Sequence, residues 1–329
     1  MFVRVLTRAM SLFAIASILP QAICGAGEIL IADRLANAVD RYSDTGTFLG
    51  TLVTNDPSNP LPTDLNQPDG IVVSPDHTKL FVANSQANNV IEYDYNYAAG
   101  TVSNPTVFAT AADGLSFPNS MAFSPDGSKL YVANLNGTGI TQLNATGGVA
   151  GAPLMGGSSF AFSGLAFNGS TLLAGGFDGG TVAQSNAAGT AMSDLVAPNA
   201  TIPGAAGVFV NGNDLYVTGL FGQSLEKFNA TTGAQDPSFN VSGLAFPQGI
   251  IASPDGQGML VGILGFANGT GNISEYSFSG QFLGVFASAG TGGFTEATAM
   301  TSVPEPGSLA LAGMGLALLV FAAKRRQTS

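Results

Sequence analysis

The sequence predicts an all-β chain folded as a six-bladed β-propeller, its first blade closed by strands from both ends, with an export signal at each terminus. Three observations carry that expectation. A unit of roughly 40–50 residues recurs along the body. Each unit reads as short apolar strands broken by tight turns. The first and last units are incomplete in complementary ways.

The chain opens with Arg4 and Arg8, an apolar segment through Leu19, and small residues at Ala22, Cys24, Gly25 and Ala26. That order is the pattern of a secretory signal peptide, assigned to residues 1–26 and cut near Cys24 or Ala26. A lipoprotein reading of Cys24 is weaker, because Gln21-Ala22-Ile23 lacks the usual leucine before the cysteine. Cys24 is the only cysteine, so the exported body contains no thiol, which excludes disulfides, zinc–thiolate sites and cysteine nucleophiles.

The body, residues 27–303, then repeats itself. Its clearest pair is QPDGIVVSPDHTKLFVANSQANNVIEYD (67–94) and FPNSMAFSPDGSKLYVANLNGTGITQLN (117–144). The stretches 162–186, 205–229 and 246–277 follow the same order with drift: an apolar strand, a tight turn, a second apolar strand, a polar loop and a third strand. The turns SPDH, SPDG, NGST, NGND and SPDG supply the Pro, Asp, Asn and Gly that hairpins use. Asp69, Asn119, Ser163, Ala206, Gln248 and Glu296, each just before a first strand, are 50, 44, 43, 42 and 48 residues apart. Residues 27–53 begin at a second strand and 294–303 form a first strand with nothing after it, so joining them completes a blade and removes two exposed sheet edges. Seven blades is the alternative count, with the extra blade expected in the longer stretches around Tyr95–Phe117 or Gly265–Ser277.

These repeats resemble the propeller superfamily of YVTN repeats, NHL repeats and gluconolactonase-like (SMP-30) proteins. KLFVAN (79–84) and KLYVAN (129–134) are similar to the YVTN core, and the PDG and PNS entries to the NHL and gluconolactonase-like ones. The architecture hosts enzymes, binders and scaffolds alike, so the resemblance implies the fold more than a reaction.

The chain ends in Pro304-Glu305-Pro306, an uncharged apolar run over 308–323 and Lys324-Arg325-Arg326. This tail, residues 304–329, resembles the PEP-CTERM sorting signal of Gram-negative bacteria. The resemblance implies exosortase as a processing partner beside signal peptidase, transient insertion in the inner membrane through a helix over 308–323, and delivery to the envelope, outer surface or extracellular matrix. The apolar run is just long enough to span a bilayer, with the basic end on the cytoplasmic side. An ordinary C-terminal anchor is the alternative.

Composition narrows the chemistry. Residues 27–303 hold 20 Asp and Glu against 5 Lys and Arg, a formal net charge of −15, which disfavours nucleic acid and anionic lipid as partners. The one histidine, His77, sits in a hairpin turn where the sister repeats have Gly127 and Gly256, so a Ser-His-Asp triad or a histidine metal site is not expected. There is no tryptophan. A quinone-binding redox propeller is disfavoured for the same lack of basic, Trp and His residues, and no cofactor is required by the pattern.

One constellation remains. First strands line a propeller's channel, so Gln248, Glu296, Asp69, Asn119 and Ser163 are expected as neighbours around one mouth. This oxygen-rich set would suit a hard cation such as Ca²⁺. Gluconolactonase-like enzymes hold a divalent cation with a Glu, an Asn and an Asp; the resemblance would assign those roles to Glu296, Asn119 and Asp69, with Gln248 beside them. The order departs from that family, because Asp69 precedes Asn119 and Glu296 comes last. Asp33, Asn84 and Asn134 end three second strands and could shape a loop face. The resulting expectation is an exported propeller that binds or scaffolds, with matrix or exopolysaccharide as partner. The alternative is a Ca²⁺-dependent lactonase-like hydrolase.

Overall fold

Apolar alternation with period two, interrupted by Pro-Asp-Gly and Asn-Gly turns, produces antiparallel hairpins that need neighbours to bury both faces. The computed structural model describes residues 26–56, 58–264, 271–290 and 294–304. Strands β1 (Ala26–Asp33), β2 (Ala38–Ser43) and β3 (Phe48–Thr54) are followed by β4 (Pro68–Val73), β5 (Lys79–Asn84), β6 (Asn89–Asn96) and β7 (Thr101–Ala109). Next come β8 (Pro118–Phe123), β9 (Lys129–Asn134), β10 (Ile140–Asn144) and β11 (Val149–Leu154), then β12 (Phe162–Asn168), β13 (Thr171–Gly176), β14 (Thr181–Ser185) and β15 (Met192–Val196). The last are β16 (Ala205–Asn211), β17 (Asp214–Gly219), β18 (Ser224–Asn229) and β19 (Val241–Ser242), β20 (Pro247–Ala252), β21 (Gly258–Ile263), β22 (Asn272–Ser277) and β23 (Phe282–Ser288), and β24 (Ala297–Pro304).

They form six four-stranded antiparallel sheets, and the first has the order β24-β1-β2-β3. The chain's last strand thus pairs with its first, from Ala26↔Pro304 to Asp33↔Ala297. The inner strands touch in the cyclic order β4, β8, β12, β16, β20, β24 and back to β4. The fold is a closed six-bladed propeller. Among the described residues, the stretch 95–117 holds the end of β6, β7 and one 3-10 turn rather than another sheet. In the other candidate stretch Asn272–Ser277 is β22, and 265–270 lie outside the described residues. The expected signal peptide, apart from Ala26, and the expected span over 308–323 also lie outside them. No helix among the described residues is long and apolar enough to cross a membrane.

Each unit has a fourth, outer strand that the apolar pattern did not reveal. These strands bury little: β7 is exposed along most of its length and carries Pro105, β11 carries Pro153, and β19 is two residues long. Proline, shortness and exposure are how edge strands avoid pairing with other chains. The second strands are the opposite case. Leu80 and Val82 of β5 join a cluster with Leu30, Val39 and Val303 of the first blade, whereas Phe81 and Ala83 join Met121, Leu130 and Val132 of the third. Burial on both faces explains why KLFVAN and KLYVAN read as continuous apolar runs, and one such cluster fills each interface between successive blades.

At the inner end every blade carries a β-bulge. The register skips a residue between Pro68 and Gly70 and between Pro118 and Ser120, and shifts again within 162–165, 205–208, 247–250 and 297–299. Beside the bulge a glycine lets the next blade's backbone approach. A Cβ on Gly207 would lie 2.2 Å from the Gln248 carbonyl oxygen, and one on Gly164 2.3 Å from that of Ala206. Gly207→Ala is therefore expected to lower stability by about 1–3 kcal/mol through overpacking. Gly284→Ala, on the outer strand β23 with nothing near the added carbon, should stay within about 0.5 kcal/mol. Urea unfolding of the two variants checks the contrast.

Candidate functional site

The channel mouth is built by those bulges, which re-aim the first residue of each inner strand toward the axis. Asp69, Asn119, Gln248 and Thr298 line a cavity of about 130 Å³ there, with Gly164, Gly207 and Gly249 between them. Beneath this polar rim each blade contributes one buried apolar side chain: Ile71, Met121, Leu165, Val208, Ile250 and Met300. The site is a shallow cup over an apolar plug.

Asp69, Asn119, Ser163 and Gln248 come together as the repeat spacing implied, and the Ser163 hydroxyl donates to Asn119 Oδ1 at 2.5 Å. Glu296 does not hold the equivalent position. The main-chain N–H after each second strand donates to the carbonyl two residues before the rim residue: Ser85 to Gln67, Leu135 to Phe117, Phe177 to Ala161, Leu220 to Gly204, Leu264 to Phe246, and Arg34 to Glu296. Glu296 therefore corresponds to Gln67, and Thr298 takes the rim position. The bulged residue of this blade is Thr298, as Asp69 and Asn119 are of theirs, and a marker set by even spacing falls two residues short of it.

Asp33, Asn84 and Asn134 turn out to be latches. Their side chains accept from the N–H of Thr295, Asn66 and Ser116, the entry residues of their own blades. Asn37 and Asn88 clip each blade to the next by accepting from Gln67 N–H at 2.7 Å and Phe117 N–H at 2.6 Å. Gly176 and Gly219 replace the latch in two blades, where Ser159 and Thr181 or Thr201 and Ser224 bond each other across the gap. His77 adopts φ 58° in its turn, matching φ 70° at Gly127 and Gly256, and packs near Tyr97 at the far end of the blade from the mouth.

Electrostatically the mouth centres on Arg34. Its Nε lies 3.6 Å from Asp69 Oδ1, and its Nη2 donates to Gln67 Oε1 at 3.1 Å. Burial pushes the Asp69 carboxyl up to about 6, opposed in part by Arg34 and by the nearby Ser85 and Asn119. Neither Asp69 oxygen accepts a well-formed hydrogen bond, because the Ser85 hydroxyl is committed to the Gln67 carbonyl at 2.9 Å. Burial also raises Glu296, with Arg34 lowering it and Asp69 and Asp33 raising it further; its Oε2 has no hydrogen-bond partner. Arg34 was not legible as a site residue, although it stands where the sister repeats have Ser85, Leu135, Phe177 and Leu220.

A second feature was also missed. On the same face, Phe177 and Phe221 meet edge to face at 5.5 Å beside a cleft of about 410 Å³ that Asp178, Asn199 and Pro203 help to line. Phe221 and nearby Phe160 are more than half exposed, at 58% and 59%.

Residues 24–174 match the SMP-30/Gluconolactonase/LRE-like region, and residues 302–326 match the PEP-CTERM protein-sorting motif. Among solved structures, the chain is similar to one in a nidogen/laminin complex (TM-score 0.62, 12% identity, covering 83% of this chain and 97% of that one). It is also similar to a putative 6-phosphogluconolactonase from Bacteroides fragilis (TM-score 0.57, 14% identity, 86% and 99%) and to a streptogramin B lyase (TM-score 0.50, 18% identity, 73% and 70%). At such identities the likeness concerns the fold. No curated protein matches the chain in sequence.

The gluconolactonase-like pattern implies a divalent cation, and the residues here do not fit one. Calcium takes six to eight oxygens, several of them carboxylate. Only Asp69 brings a carboxylate to the cup, Thr298 stands where a second was expected, and Asn119 Oδ1 already accepts from Ser163. No group of three His, Cys, Asp or Glu among the described residues could hold a metal.

The raised Asp69 carboxyl has a pH signature. The folded state holds that proton more tightly than the unfolded chain, so its contribution is complete below about pH 4 and is lost as pH rises through about 6. The full-length protein in mild detergent is expected to lose on the order of 2–3 kcal/mol across that interval from this group. Asp69→Asn should flatten the melting-temperature profile between about pH 4 and 6; an unchanged slope would mean the carboxyl is not the source.

Proposed function

We propose that this protein is an exported β-propeller that acts outside the cell as a binding module, with an extracellular matrix polymer such as exopolysaccharide as its partner. The observation that carries the reading is the channel mouth. Its cavity of about 130 Å³ is well below the roughly 300 Å³ at which small-molecule sites begin, and it is floored by apolar side chains. The aromatic cleft beside it offers more room and exposed stacking surface.

The address rests on the tail. The PEP-CTERM motif marks the chain for export and cell-envelope sorting in bacteria, with exosortase processing its tail. The finer division, with a signal peptide over 1–26, a mature body over 27–303 and a tail over 304–329, is part of this proposal, as is final residence at the outer surface or in the matrix. The match at 302–326 overlaps β24, whose Val303 is fully buried and pairs with Glu28. Processing that spares the propeller must therefore leave residues 28–303 intact. Mass spectrometry of the exported protein should find ends no further inward than Glu28 and Val303. Intact Lys324-Arg325-Arg326 would contradict tail removal.

A metal-dependent lactonase is the alternative, favoured by the family match over 24–174. The full chain is expected to show no turnover on a panel of lactones, and to cosediment with matrix polysaccharide from the producing bacterium. Phe160→Ser with Phe221→Ser should lower that retention several-fold. Lactone turnover abolished by Asp69→Asn would replace the binding reading with the hydrolase.

A further inference from the structure

We infer that the aromatic cleft between the fourth and fifth blades receives an amino-sugar unit with a free ammonium group, so that the polymer this protein binds is a basic glycan. The inference rests on the binding role proposed above and names the ligand class of that cleft.

Two glycines open the cleft. In the first and second blades the residue before the third strand is Asn37 or Asn88, whose side chain clips the entry residue of the next blade, Gln67 or Phe117. In the fourth blade the clip position is Gly180, and the entry residue opposite it is Gly204. The Gly204 carbonyl takes the Leu220 N–H just as those of Gln67 and Phe117 take Ser85 and Leu135. Gly180 has φ 57°, against 51° and 53° at the two asparagines, and Gly204 has φ 67°, against 53° and 55° at Gln67 and Phe117. The backbone of this seam therefore follows its sisters, and only the side chains that would fill it are gone. Both glycines line the cleft. The Phe221 ring takes part of the freed room, since a Cβ on Gly204 would lie 2.7 Å from it.

What remains is walled by aromatic rings and one carboxylate. The volume of about 410 Å³ falls in the roughly 300–1,000 Å³ range of small-ligand sites, more than a single lysine or arginine side chain would fill. The negative faces of Phe177 and Phe221 attract sugar C–H groups and an ammonium alike. Phenylalanine has no polar tip, so charge recognition falls to Asp178, which lines the same cleft. Its Oδ2 accepts from the Phe160 N–H at 3.2 Å, which holds the carboxylate beside a third exposed ring and leaves it further acceptor capacity. All five basic residues of 27–303 are engaged elsewhere: Arg34 with Asp69, Arg41 with Glu28, Lys79 with Glu92 and Asp94, Lys129 with Gln142, and Lys227 with Asp214 and Asp236. Among the described residues Asp178 thus has no counter-charge. In a body this acidic, such a site favours a cation and repels uronate or sulfated sugars.

The test is calorimetric titration of the full-length protein in mild detergent, at mildly acidic pH where sugar amines are protonated. The probes are tetramers of glucosamine, N-acetylglucosamine and galacturonic acid, with tetralysine as the peptide control. The glucosamine tetramer is expected to bind about tenfold more tightly than its N-acetylated counterpart, the worth of a charged hydrogen bond, and the galacturonate tetramer not measurably. Asp178→Asn, which keeps an oxygen for the Phe160 N–H, should erase that preference while sparing the weak binding of the N-acetylated tetramer. Gly180→Asn, which restores the clip of the sister blades, should weaken both. Added salt should weaken the glucosamine tetramer's binding to the wild type but not to Asp178→Asn. Equal binding of the two tetramers, binding of neither, or a preference that survives Asp178→Asn would overturn the inference, as would tighter binding of tetralysine. If Gly180→Asn does not fold, Asp178→Asn decides alone. Phe221-dependent cosedimentation with matrix polysaccharide, without any preference for the glucosamine tetramer, would refute the ammonium ligand alone; loss of both would refute the binding role as well.

Discussion

The ladder between β24 and β1 is the interaction on which the rest of the molecule depends. Among the described residues it is the only place where the propeller ring is joined by pairing between distant parts of the chain, residues 26–33 with 297–304. Without β24 the first blade would have three strands, and Ile29 and Ile31 would lose the inner strand they pair with. Met300 and Val303 would also leave the two apolar clusters that flank the first blade. Every other blade is a local hairpin set, but each packs only against neighbours whose positions the closure fixes. A ring of this kind has no free inner edge to template association.

Closure also sets the size of the channel. Six inner strands drawn into one circle bring each backbone against the next, which is tolerated because Gly70, Gly164, Gly207 and Gly249 lie where a Cβ would collide with the following blade. The bulges that make this approach possible also turn Asp69, Asn119, Gln248 and Thr298 toward the axis. A tight ring therefore yields a small polar cup and a buried carboxylate short of hydrogen bonds, with Arg34 as its counter-charge. The small space at the axis is the reason the proposed binding role is placed on the outer part of that face.

Much of the fold was legible because its signals are local. The SPDG turns recur as one hydrogen-bonded device, with Asp76, Asp126 and Asp255 each accepting from the serine two residues before. The second strands advertise themselves through burial on both faces. The outer strands were silent because exposed edges need no apolar pattern, as β7 and β11 illustrate. The rim was half legible: Asp69, Asn119 and Gln248 fell on the expected circle, but in the closing blade the bulged residue is Thr298, two positions beyond Glu296, in an entry that carries none of the Pro-Asp-Gly or Pro-Asn-Ser signal that marks Asp69 and Asn119. Arg34 and the Phe177–Phe221 pair stayed hidden because their partners lie on a neighbouring blade, and adjacency across blades leaves no mark on sequence spacing.

The most direct measurement of the central claim is native-state hydrogen exchange of the full-length protein, comparing the amides of β24 with those of the other inner strands. A ring held by its closing ladder predicts that residues 298–303 exchange as slowly as the matching amides of β4, β8 and β12, through global unfolding. Exchange orders of magnitude faster in β24 alone would mean the ring opens locally there, and the closure would not be what holds the blades in place.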